Sequence, residues 1–514
     1  MNRRSIRFAL VAAAVAIVLP LSGCVSSFLP STQSTVSTPV ADKVSAALTP
    51  FYTQVLHWTS CEKAKGNFQC ATATAPLDWK NPGRASIKLA LIRHGATGKS
   101  LGSLLVNPGG PGASGYDFIR DSLSYAVDSK LQSNYDIVGF DPRGVNKSSA
   151  VTCYKDPKEM DAFLYTISPN PVGSDAWIVD QEASTAKFGQ ACQKYTGDLL
   201  GFVDTVSAAR DLDLLRAILG DKKLNYLGYS YGTLLGATYA DLYPKNTGRL
   251  VFDGAVDPAT TDFQVTATQA QGFESALRAY LANCITGTDC PFKGTVDQAM
   301  TEIRGLLDQL NASPLRASDG REVGSAAMFN AIILPLYSRT NWKYLNELFT
   351  DVMSGSGDYA LQLSDSYYDR NPNGTYADNT TEAFIAINCL DYKSTSSVAT
   401  MRTEAAQLAK LAPVFGPQMS YGGTSCYDWP YQSTRDRVAI AAKGSAPIIV
   451  VGTTNDPATP YVWAQNVAKE LQNGHLVTYK GEGHTAYNKG NSCVNNAVDS
   501  YLIDGTVPKT DPKC

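Results

Sequence analysis

The sequence has 514 residues, of which 44% are hydrophobic and 18% are charged, and its formal net charge is −3. This length is too great for one small domain, and the composition is that of an ordinary globular protein, which excludes global disorder. A mildly acidic chain without a basic run binds nucleic acid poorly, so we expect no nucleic acid among its partners.

The first residues have the organisation of an export signal. Three arginines within the first seven residues precede an apolar run over 8–21, which is too short for a membrane span. The run ends at Leu21-Ser22-Gly23-Cys24, which resembles a bacterial lipobox, where the cysteine is lipidated and becomes the mature N-terminus. We predict a signal peptide over 1–23 and an exported protein, either anchored to the cell membrane through lipid on Cys24 or secreted. The alternative is an ordinary signal peptide followed by an incidental cysteine.

The next segments predict a tether and the first part of a core. Residues 24–50 are rich in Ser, Thr, Pro and Val, which is typical of a flexible tether between lipid and domain. From residue 51 the chain alternates strand and helix signals, which favours an α/β fold with a mostly parallel sheet and helices on both faces. We assign 51–259 to this core. Strands are predicted at 104–106, 135–140, 224–228 and 250–252, and helices at 205–219 and 231–242.

Regular alternation stops near residue 260 and returns near residue 441. The segment 260–440 holds helical stretches and polar loops, whereas 446–452 and 476–479 have the pattern of buried strands. We therefore predict a mainly helical cap over 260–440, inserted into a core whose second part is 441–514.

The motif Gly228-Tyr229-Ser230-Tyr231-Gly232 lies between a predicted strand and a predicted helix. This is the context of a nucleophile elbow, where flanking glycines permit a strained turn that exposes the serine hydroxyl. Ser230 is therefore the predicted nucleophile. The alternative is an ordinary loop serine between packed elements.

A serine hydroxyl needs a histidine base, and the sequence has four histidines. His57 and His94 precede the predicted parallel strands, and His475 precedes the last strand. His484 follows that strand, and active sites of open α/β sheets lie at the carboxyl ends of strands. We select His484, against the alternative of a solvated loop histidine.

The acid that orients this histidine should follow a strand between the serine and the histidine. Asp456 follows the clearest buried strand, around 448–451, and is preferred. Asp257 is the alternative, and Asp253 is expected to be structural. The resulting order Ser, Asp, His is that of α/β-hydrolases.

Two main-chain N–H groups should stabilise the oxyanion. One belongs to Tyr231, directly after the nucleophile. The other should come from the glycine-rich loop 107–112, where we predict Gly110, with Gly109 as the alternative. A phosphate-binding loop is the rival interpretation, but no Lys-Ser/Thr pair follows the glycines.

Ten cysteines remain after Cys24, an even number that indicates disulfides in an exported protein. Metal binding is the rival interpretation, but there is no CxxC pair and histidines are few, so we expect neither metal nor cofactor. Pairing neighbours in sequence predicts the disulfides Cys61–Cys70, Cys153–Cys192, Cys284–Cys290, Cys389–Cys426 and Cys493–Cys514.

These motifs together resemble the secreted tripeptidyl aminopeptidases of actinobacteria, relatives of prolyl aminopeptidases within the α/β-hydrolases. The resemblance runs from about residue 55 to the end and departs from the family at Asn146, where a second glycine is usual. The matching segments are Asn107-Pro-Gly-Gly-Pro-Gly112, Asp141-Pro-Arg-Gly144, Gly228-Tyr-Ser-Tyr-Gly232, Ala386-Ile-Asn-Cys-Leu-Asp391, Asp456-Pro-Ala-Thr-Pro460 and Gly483-His484.

The resemblance implies a serine exopeptidase that releases short peptides, often tripeptides, from free N-termini. Such an enzyme needs an anion for the substrate ammonium, because burying an unpaired charge is costly. Asp391 and Glu382 in the cap are the candidates, with surface carboxylates as the alternative, and Thr459 is predicted to line the pocket or to cap a helix. Two other functions stay open: a carboxylesterase or lipase with the same triad, and a non-catalytic solute-binding lipoprotein.

Overall fold

The computed structural model describes residues 35–62, 64, 66–394, 397–433 and 435–514. The predicted signal peptide, Cys24 and the first part of the predicted tether lie outside the described residues. The strands are β1 (Val36–Ser37), β2 (Leu56–His57), β3 (Thr59–Ser60), β4 (Phe68–Pro76), β5 (Ser86–His94), β6 (Ser103–Asn107), β7 (Asp136–Phe140), β8 (Leu224–Tyr229), β9 (Thr247–Asp253), β10 (Leu315–Arg316), β11 (Glu322–Val323), β12 (Ile448–Asn455) and β13 (Gly474–Glu482).

The helices connect and cover these strands. They are α1 (Thr49–Tyr52), α2 (Gly115–Ala126), α3 (Ser129–Asn134), α4 (Pro157–Tyr165), α5 (Asp175–Thr196), α6 (Thr205–Leu219), α7 (Tyr231–Leu242), α8 (Asp262–Cys284), α9 (Val296–Ala312), α10 (Ser325–Leu336), α11 (Trp342–Met353), α12 (Asp358–Tyr367), α13 (Thr380–Asp391), α14 (Val398–Leu411), α15 (Phe415–Gln418), α16 (Tyr461–Glu470) and α17 (Ser492–Asp504). Short 3₁₀ turns occupy Gly197–Phe202, Pro244–Asn246, Arg339–Asn341 and Gly422–Cys426.

One sheet of nine strands forms the core, in the order β13-β12-β9-β8-β6-β7-β5-β4-β3. The strands from β13 to β7 pair in parallel, and β5, β4 and β3 add an antiparallel edge. The inner parallel strands, such as β6, β8 and β12, are largely buried apolar runs, whereas the edge strand β13 is mostly half-buried. Their carboxyl ends meet at one edge, so the loops after β6, β8, β9, β12 and β13 converge there.

The polypeptide between β9 and β12 is mainly helical. It contains α8 to α15 and the small hairpin of β10 and β11. Most of its helices bury their own apolar cluster, which includes Phe273, Ile303, Met328 and Phe349, whereas α13 packs in a cluster on one face of the sheet. The segment therefore has a hydrophobic core distinct from the two clusters on the faces of the sheet.

A second helical segment, α4 and α5, separates β7 from α6 and was not predicted. It packs on the α8–α15 segment: Arg370 donates to both carboxylate oxygens of Asp161, at 2.7 and 2.8 Å. The ring of Trp429 lies close to Phe188 of α5, with 6.3 Å between ring centroids. The cap region is therefore built from two stretches of the chain.

Residues 35–50 pack on the core. The Val40 N–H donates to the Ala217 carbonyl at 2.9 Å, and Asp42 forms an ion pair with buried Arg216. The prediction of a flexible tether is therefore wrong from residue 35 onward. The apolar residues of this segment, spaced among small polar ones, cover part of the surface of the core. Within the part of the chain that the structure describes, no helix is both long and apolar enough to cross a membrane.

Five disulfides link the described cysteines. Each joins neighbours in sequence, which are the pairs expected from the count and order of cysteines. They are Cys61–Cys70, Cys153–Cys192, Cys284–Cys290, Cys389–Cys426 and Cys493–Cys514.

Candidate active site

Ser230 lies at a tight turn between β8 and α7. Its backbone has φ 55° and ψ −126°, a conformation that is strained for a residue with a side chain. The flanking glycines are required by space, because a Cβ on Gly228 would lie 2.5 Å from the Gly232 carbonyl oxygen. The sequence thus forms the elbow that the Gly-x-Ser-x-Gly spacing predicts.

His484 and Asp456 form a close pair at the same edge of the sheet. The Nδ1 atom of His484 lies 3.0 Å from each carboxylate oxygen of Asp456. A carboxylate can only accept, so the proton lies on Nδ1 and leaves Nε2 free to receive another. The side chain of Asp456 is also held by the N–H groups of Ala458, Thr459 and Thr485 at 2.9, 2.9 and 3.1 Å.

The alternative acid lies elsewhere. Asp257 accepts from the Ala259 N–H at 2.8 Å and from the Asn466 side-chain amide at 2.8 Å. Its carboxylate is therefore committed to the loop after β9 and to α16. The geometry favours Asp456 as the partner of His484.

The end of β9 brings the serine and the histidine together. The Ser230 N–H donates to the main-chain oxygen of Asp253 at 2.9 Å. A Cβ built on the next residue, Gly254, would lie only 3.2 Å from Cε1 of His484. The nucleophile elbow and the histidine ring thus both contact the dipeptide Asp253-Gly254.

Thr459 does not line a pocket. Its side chain is 3% exposed, and its hydroxyl donates to Asp456 at 3.0 Å and lies 3.2 Å from Nδ1 of His484. The prediction of a substrate contact is therefore wrong, because the turn after β12 directs this hydroxyl toward the carboxylate. Helix α16 begins two residues later, at Tyr461, so Thr459 is not its cap either.

The glycine-rich loop after β6 lies against the elbow. A Cβ on Gly109 would lie 2.8 Å from Cβ of Ser230 and 3.0 Å from the Tyr231 nitrogen. The N–H of Gly109 donates to the Asn107 side chain at 3.0 Å, so it is not free for a substrate. Tyr231 opens α7, and the first N–H groups of a helix lack partners within it. The N–H groups of Tyr231 and Gly110 stay the predicted oxyanion donors, whereas the N–H of Gly109 already has an acceptor.

Burial makes Asp391 a weaker acid than usual. It ends α13 and accepts the N–H of Thr205 at 2.9 Å and the hydroxyl of the same residue at 2.5 Å. The Thr205 hydroxyl also contacts the Tyr231 hydroxyl at 2.5 Å, which links Asp391 to the residue after the nucleophile. Burial, with the nearby charge of Asp204, raises the pKa of Asp391 to about 6.

Glu382 has a structural role. Its side chain is 7% exposed, and one carboxylate oxygen accepts the N–H groups of Cys153 and Tyr154 at 2.7 and 3.1 Å. It joins α13 to the loop after β7. These main-chain contacts engage one of its two carboxylate oxygens, and the role of Glu382 as a substrate anchor stays a prediction.

Sequence reasoning missed Tyr337, which follows α10. Its carbonyl accepts the His484 N–H at 2.8 Å, and its ring meets the imidazole edge-on with 5.3 Å between centroids. Burial and the charge of Asp456 raise the pKa of Tyr337 to about 12. No local motif marks this residue, because it lies far from the histidine in sequence.

The Asp141-Pro-Arg-Gly144 segment is anchored in the core by its arginine. Arg143 is fully buried and donates to both oxygens of Asp211, each at 2.7 Å. Asn146, the departure from the family pattern, has φ 40°, the left-handed region in which asparagine substitutes most readily for glycine. Asn146 thus adopts a backbone conformation that a glycine would also adopt. Among the described residues, no group of three or more His, Cys, Asp or Glu side chains is placed to hold a metal ion.

The parallel sheet, the nucleophile elbow and the adjoining His–Asp pair define a serine hydrolase of the α/β-hydrolase fold. A sequence model of the family described as TAP-like protein matches residues 412–514. The serine protease Hip1 of Mycobacterium tuberculosis is 35% identical over 484 residues, covering 90% of this chain and 91% of that protein.

Two further relatives carry different names. Carboxylesterase B of Mycobacterium tuberculosis is 34% identical over 473 residues, covering 89% of each chain. The tripeptidyl aminopeptidase of Streptomyces lividans is 30% identical over 454 residues, covering 87% of this chain and 83% of that protein. The chain therefore belongs to the tripeptidyl aminopeptidase-like family of serine hydrolases.

Proposed function

We propose that this protein is a serine exopeptidase that releases short peptides, chiefly tripeptides, from free N-termini. The observation that carries the proposal is the pairing of Asp456 with His484 beside the Ser230 elbow, with the carboxylate of Asp391 nearby. The relatives named serine protease and tripeptidyl aminopeptidase support it. A solute-binding protein would have no use for this set of groups.

The reaction follows from the arrangement of the side chains. His484 Nε2 takes the proton of Ser230 as the hydroxyl attacks the scissile carbonyl, and the Asp456 carboxylate stabilises the resulting imidazolium. The N–H groups of Tyr231 and Gly110 stabilise the oxyanion. The imidazolium then protonates the leaving amine, and water activated by the same histidine hydrolyses the acyl-enzyme.

Asp391 is the proposed anchor for the substrate ammonium. It is connected to the nucleophile through two side chains only, Thr205 and Tyr231, the latter adjacent to Ser230. Three extended residues span about 10 Å, which suits a ligand held at one end by this carboxylate and cut at the other. The α13 segment brings Asp391 to this position, which gives the insertion a part in limiting the length of the released peptide.

The test compares substrates that differ only at the amine. N-acetylation and Asp391→Asn should each lower kcat/KM on peptides by on the order of 10²–10³, because one partner of a desolvated charge pair is lost. Hydrolysis of a small neutral ester should be nearly unchanged in Asp391→Asn. Glu382→Gln is the matched control and should keep the preference for free over acetylated peptides. Equal cleavage of free and acetylated peptides would contradict the exopeptidase assignment.

A carboxylesterase is the second candidate, since one relative carries that name. The same triad serves both reactions, so the substrates decide between them. Aminoacyl- and tripeptidyl-arylamides assayed beside short-chain esters separate the two. An enzyme that hydrolyses only the esters would be a carboxylesterase.

We also propose that the protein is exported and anchored to the cell membrane through lipid on Cys24. The arginine-flanked apolar run and the lipobox-like sequence support this location. Five disulfides are a further argument for export, because they persist in oxidising compartments.

A further inference from the structure

Asp253 is the last residue of β9, and it contacts both loops that carry the proposed nucleophile and base. Its main-chain oxygen accepts the Ser230 N–H at 2.9 Å. Its side chain is 0% exposed and is directed toward the residues that follow His484. A buried carboxylate at this junction needs hydrogen-bond partners, and the histidine loop supplies them.

Both carboxylate oxygens of Asp253 are used on that loop. Each lies 3.0 Å from the Ala486 nitrogen, and one accepts the Tyr487 N–H at 2.8 Å. The loop depends on such bonds because Thr485 has φ 63°, a backbone conformation that is strained for a residue with a side chain. The hydrogen bonds to Asp253 therefore hold the loop after His484 in a backbone conformation that its own sequence disfavours.

Lys489 holds the same loop from another side. Its ammonium donates to the His484 carbonyl at 2.7 Å and to the Thr485 hydroxyl at 2.6 Å. This contact fixes the main chain of the histidine itself, whereas Asp253 fixes the two N–H groups that come just after it. Only Asp253 is also bonded to the serine elbow.

Gly254 extends the junction toward the imidazole. With φ 70°, it turns the chain so that a Cβ would lie 2.9 Å from the Thr459 hydroxyl oxygen and 3.2 Å from Cε1 of His484. The ring thus rests against the backbone that follows Asp253. Asp253 and Gly254 therefore contact the residues on both sides of the site, Ser230 through a main-chain hydrogen bond and His484 through its ring.

We propose that Asp253 is a positioning residue for hydrolysis at Ser230: its carbonyl fixes the nucleophile elbow and its carboxylate fixes the loop that carries His484. It contacts neither substrate nor the reacting atoms. The proposal rests on the catalytic roles proposed for Ser230 and His484, and it holds for peptide and ester substrates alike.

The test is Asp253→Asn, assayed on a peptidyl arylamide and on a short-chain ester. The new side-chain amide places an NH₂ group where the loop presents its own main-chain N–H groups. Two donors then face each other, so the loop that carries His484 must shift. Since a displacement of about 1 Å can cost ~10²-fold, we expect kcat to fall by ~10–10²-fold on both substrates while KM changes by less than about twofold. If only the peptidase assignment is wrong, the wild-type enzyme will hydrolyse the ester but not the peptide. The ester assay of the Asp253 variant would still test the positioning role in that case.

Asp257→Asn is the matched control. Asp257 is also buried, at 3% exposure, and follows the same strand, but its carboxylate bonds Ala259 and Asn466. Both variants should lower the melting temperature, whereas only Asp253→Asn should lower kcat. Wild-type kcat in Asp253→Asn, or an equal loss in the control, overturns the proposal.

Asp253→Glu provides a second variant. It keeps the charge but moves the carboxylate by one methylene, and it should also lower kcat with little change in KM. Wild-type kcat in this variant overturns the proposal. If neither Asp253 variant accumulates as folded protein, the residue acts in folding and the positioning role is rejected.

Discussion

The variant Asp456→Asn tests how the carboxylate of Asp456 orients the imidazole of His484. The carboxylate of Asp456 accepts hydrogen bonds on both oxygens: Ala458 and Thr459 donate to one, and Thr485 and the Thr459 hydroxyl donate to the other. His484 Nδ1 lies 3.0 Å from each. The side-chain amide of asparagine has only one acceptor oxygen. Its NH₂ group must therefore face groups that donate to the carboxylate in the wild type.

The consequence for the histidine is a change of tautomer. With the amide oxygen held by the two N–H groups of the turn, the NH₂ group lies within reach of His484 and favours the tautomer whose Nδ1 accepts. The proton moves to Nε2, and the imidazole can no longer take the proton of Ser230. We expect kcat to fall by on the order of 10⁴, which corresponds to ~5.5 kcal/mol of transition-state stabilisation.

A smaller loss of stability should accompany the loss of rate. The Thr485 N–H is left without an acceptor, which costs about 1–3 kcal/mol of unfolding free energy. Burst and steady-state kinetics on an arylamide, with a thermal melt of the same preparation, measure both effects. Asp257→Asn is the control and should keep near-wild-type kcat. A larger loss in Asp257→Asn than in Asp456→Asn would refute the assignment of the acid.

The remaining predictions concern the nucleophile, the substrate anchor and the membrane anchor. Ser230→Ala and His484→Ala should each lower kcat by at least ~10³, and the double variant should be little worse, as expected of groups that act as a unit; near-wild-type activity in either single variant would exclude it from the triad. The ratio of kcat/KM for a free peptide to that for a neutral ester should fall below pH about 6, where Asp391 becomes protonated, and above pH about 8, where the substrate amine loses its proton. Asp391→Asn should abolish the acidic fall in this ratio, and a fall that persists would assign it to another group. Cys24→Ser should release the protein from the membrane fraction, because lipid chains contribute ~0.8 kcal/mol per buried CH₂, and continued retention would indicate a different anchor.

The parallel part of the fold could be predicted because its strands are short apolar runs followed by glycine-rich turns. The strands expected at 104–106 and 224–228 are β6 and β8, and the Gly-x-Ser-x-Gly spacing specifies the elbow between β8 and α7. The choice of His484 and Asp456 followed from chain order and strand ends alone. These predictions combine local sequence patterns with the rule that active sites of open α/β sheets lie at the carboxyl ends of the strands.

The cap region could not be predicted in the same way, because its contacts join residues distant in sequence. Glu382 has the sequence context of an exposed helical acid, yet it is buried against the backbone after β7. Tyr337 contacts His484 from the position directly after α10, in a segment with no recognisable motif. The spacing places Thr459 just after Asp456, but the direction of its side chain toward the carboxylate depends on φ and ψ values that the sequence does not specify.

Product analysis by mass spectrometry tests the central claim most directly. The wild-type enzyme is incubated with a library of unblocked peptides and with the same peptides N-acetylated, and Ser230→Ala serves as the blank. We predict that short N-terminal fragments, chiefly tripeptides, are released from the free peptides and that the acetylated ones are cut on the order of 10²–10³-fold more slowly. Cleavage at internal sites, or equal cleavage of the two libraries, would contradict the account.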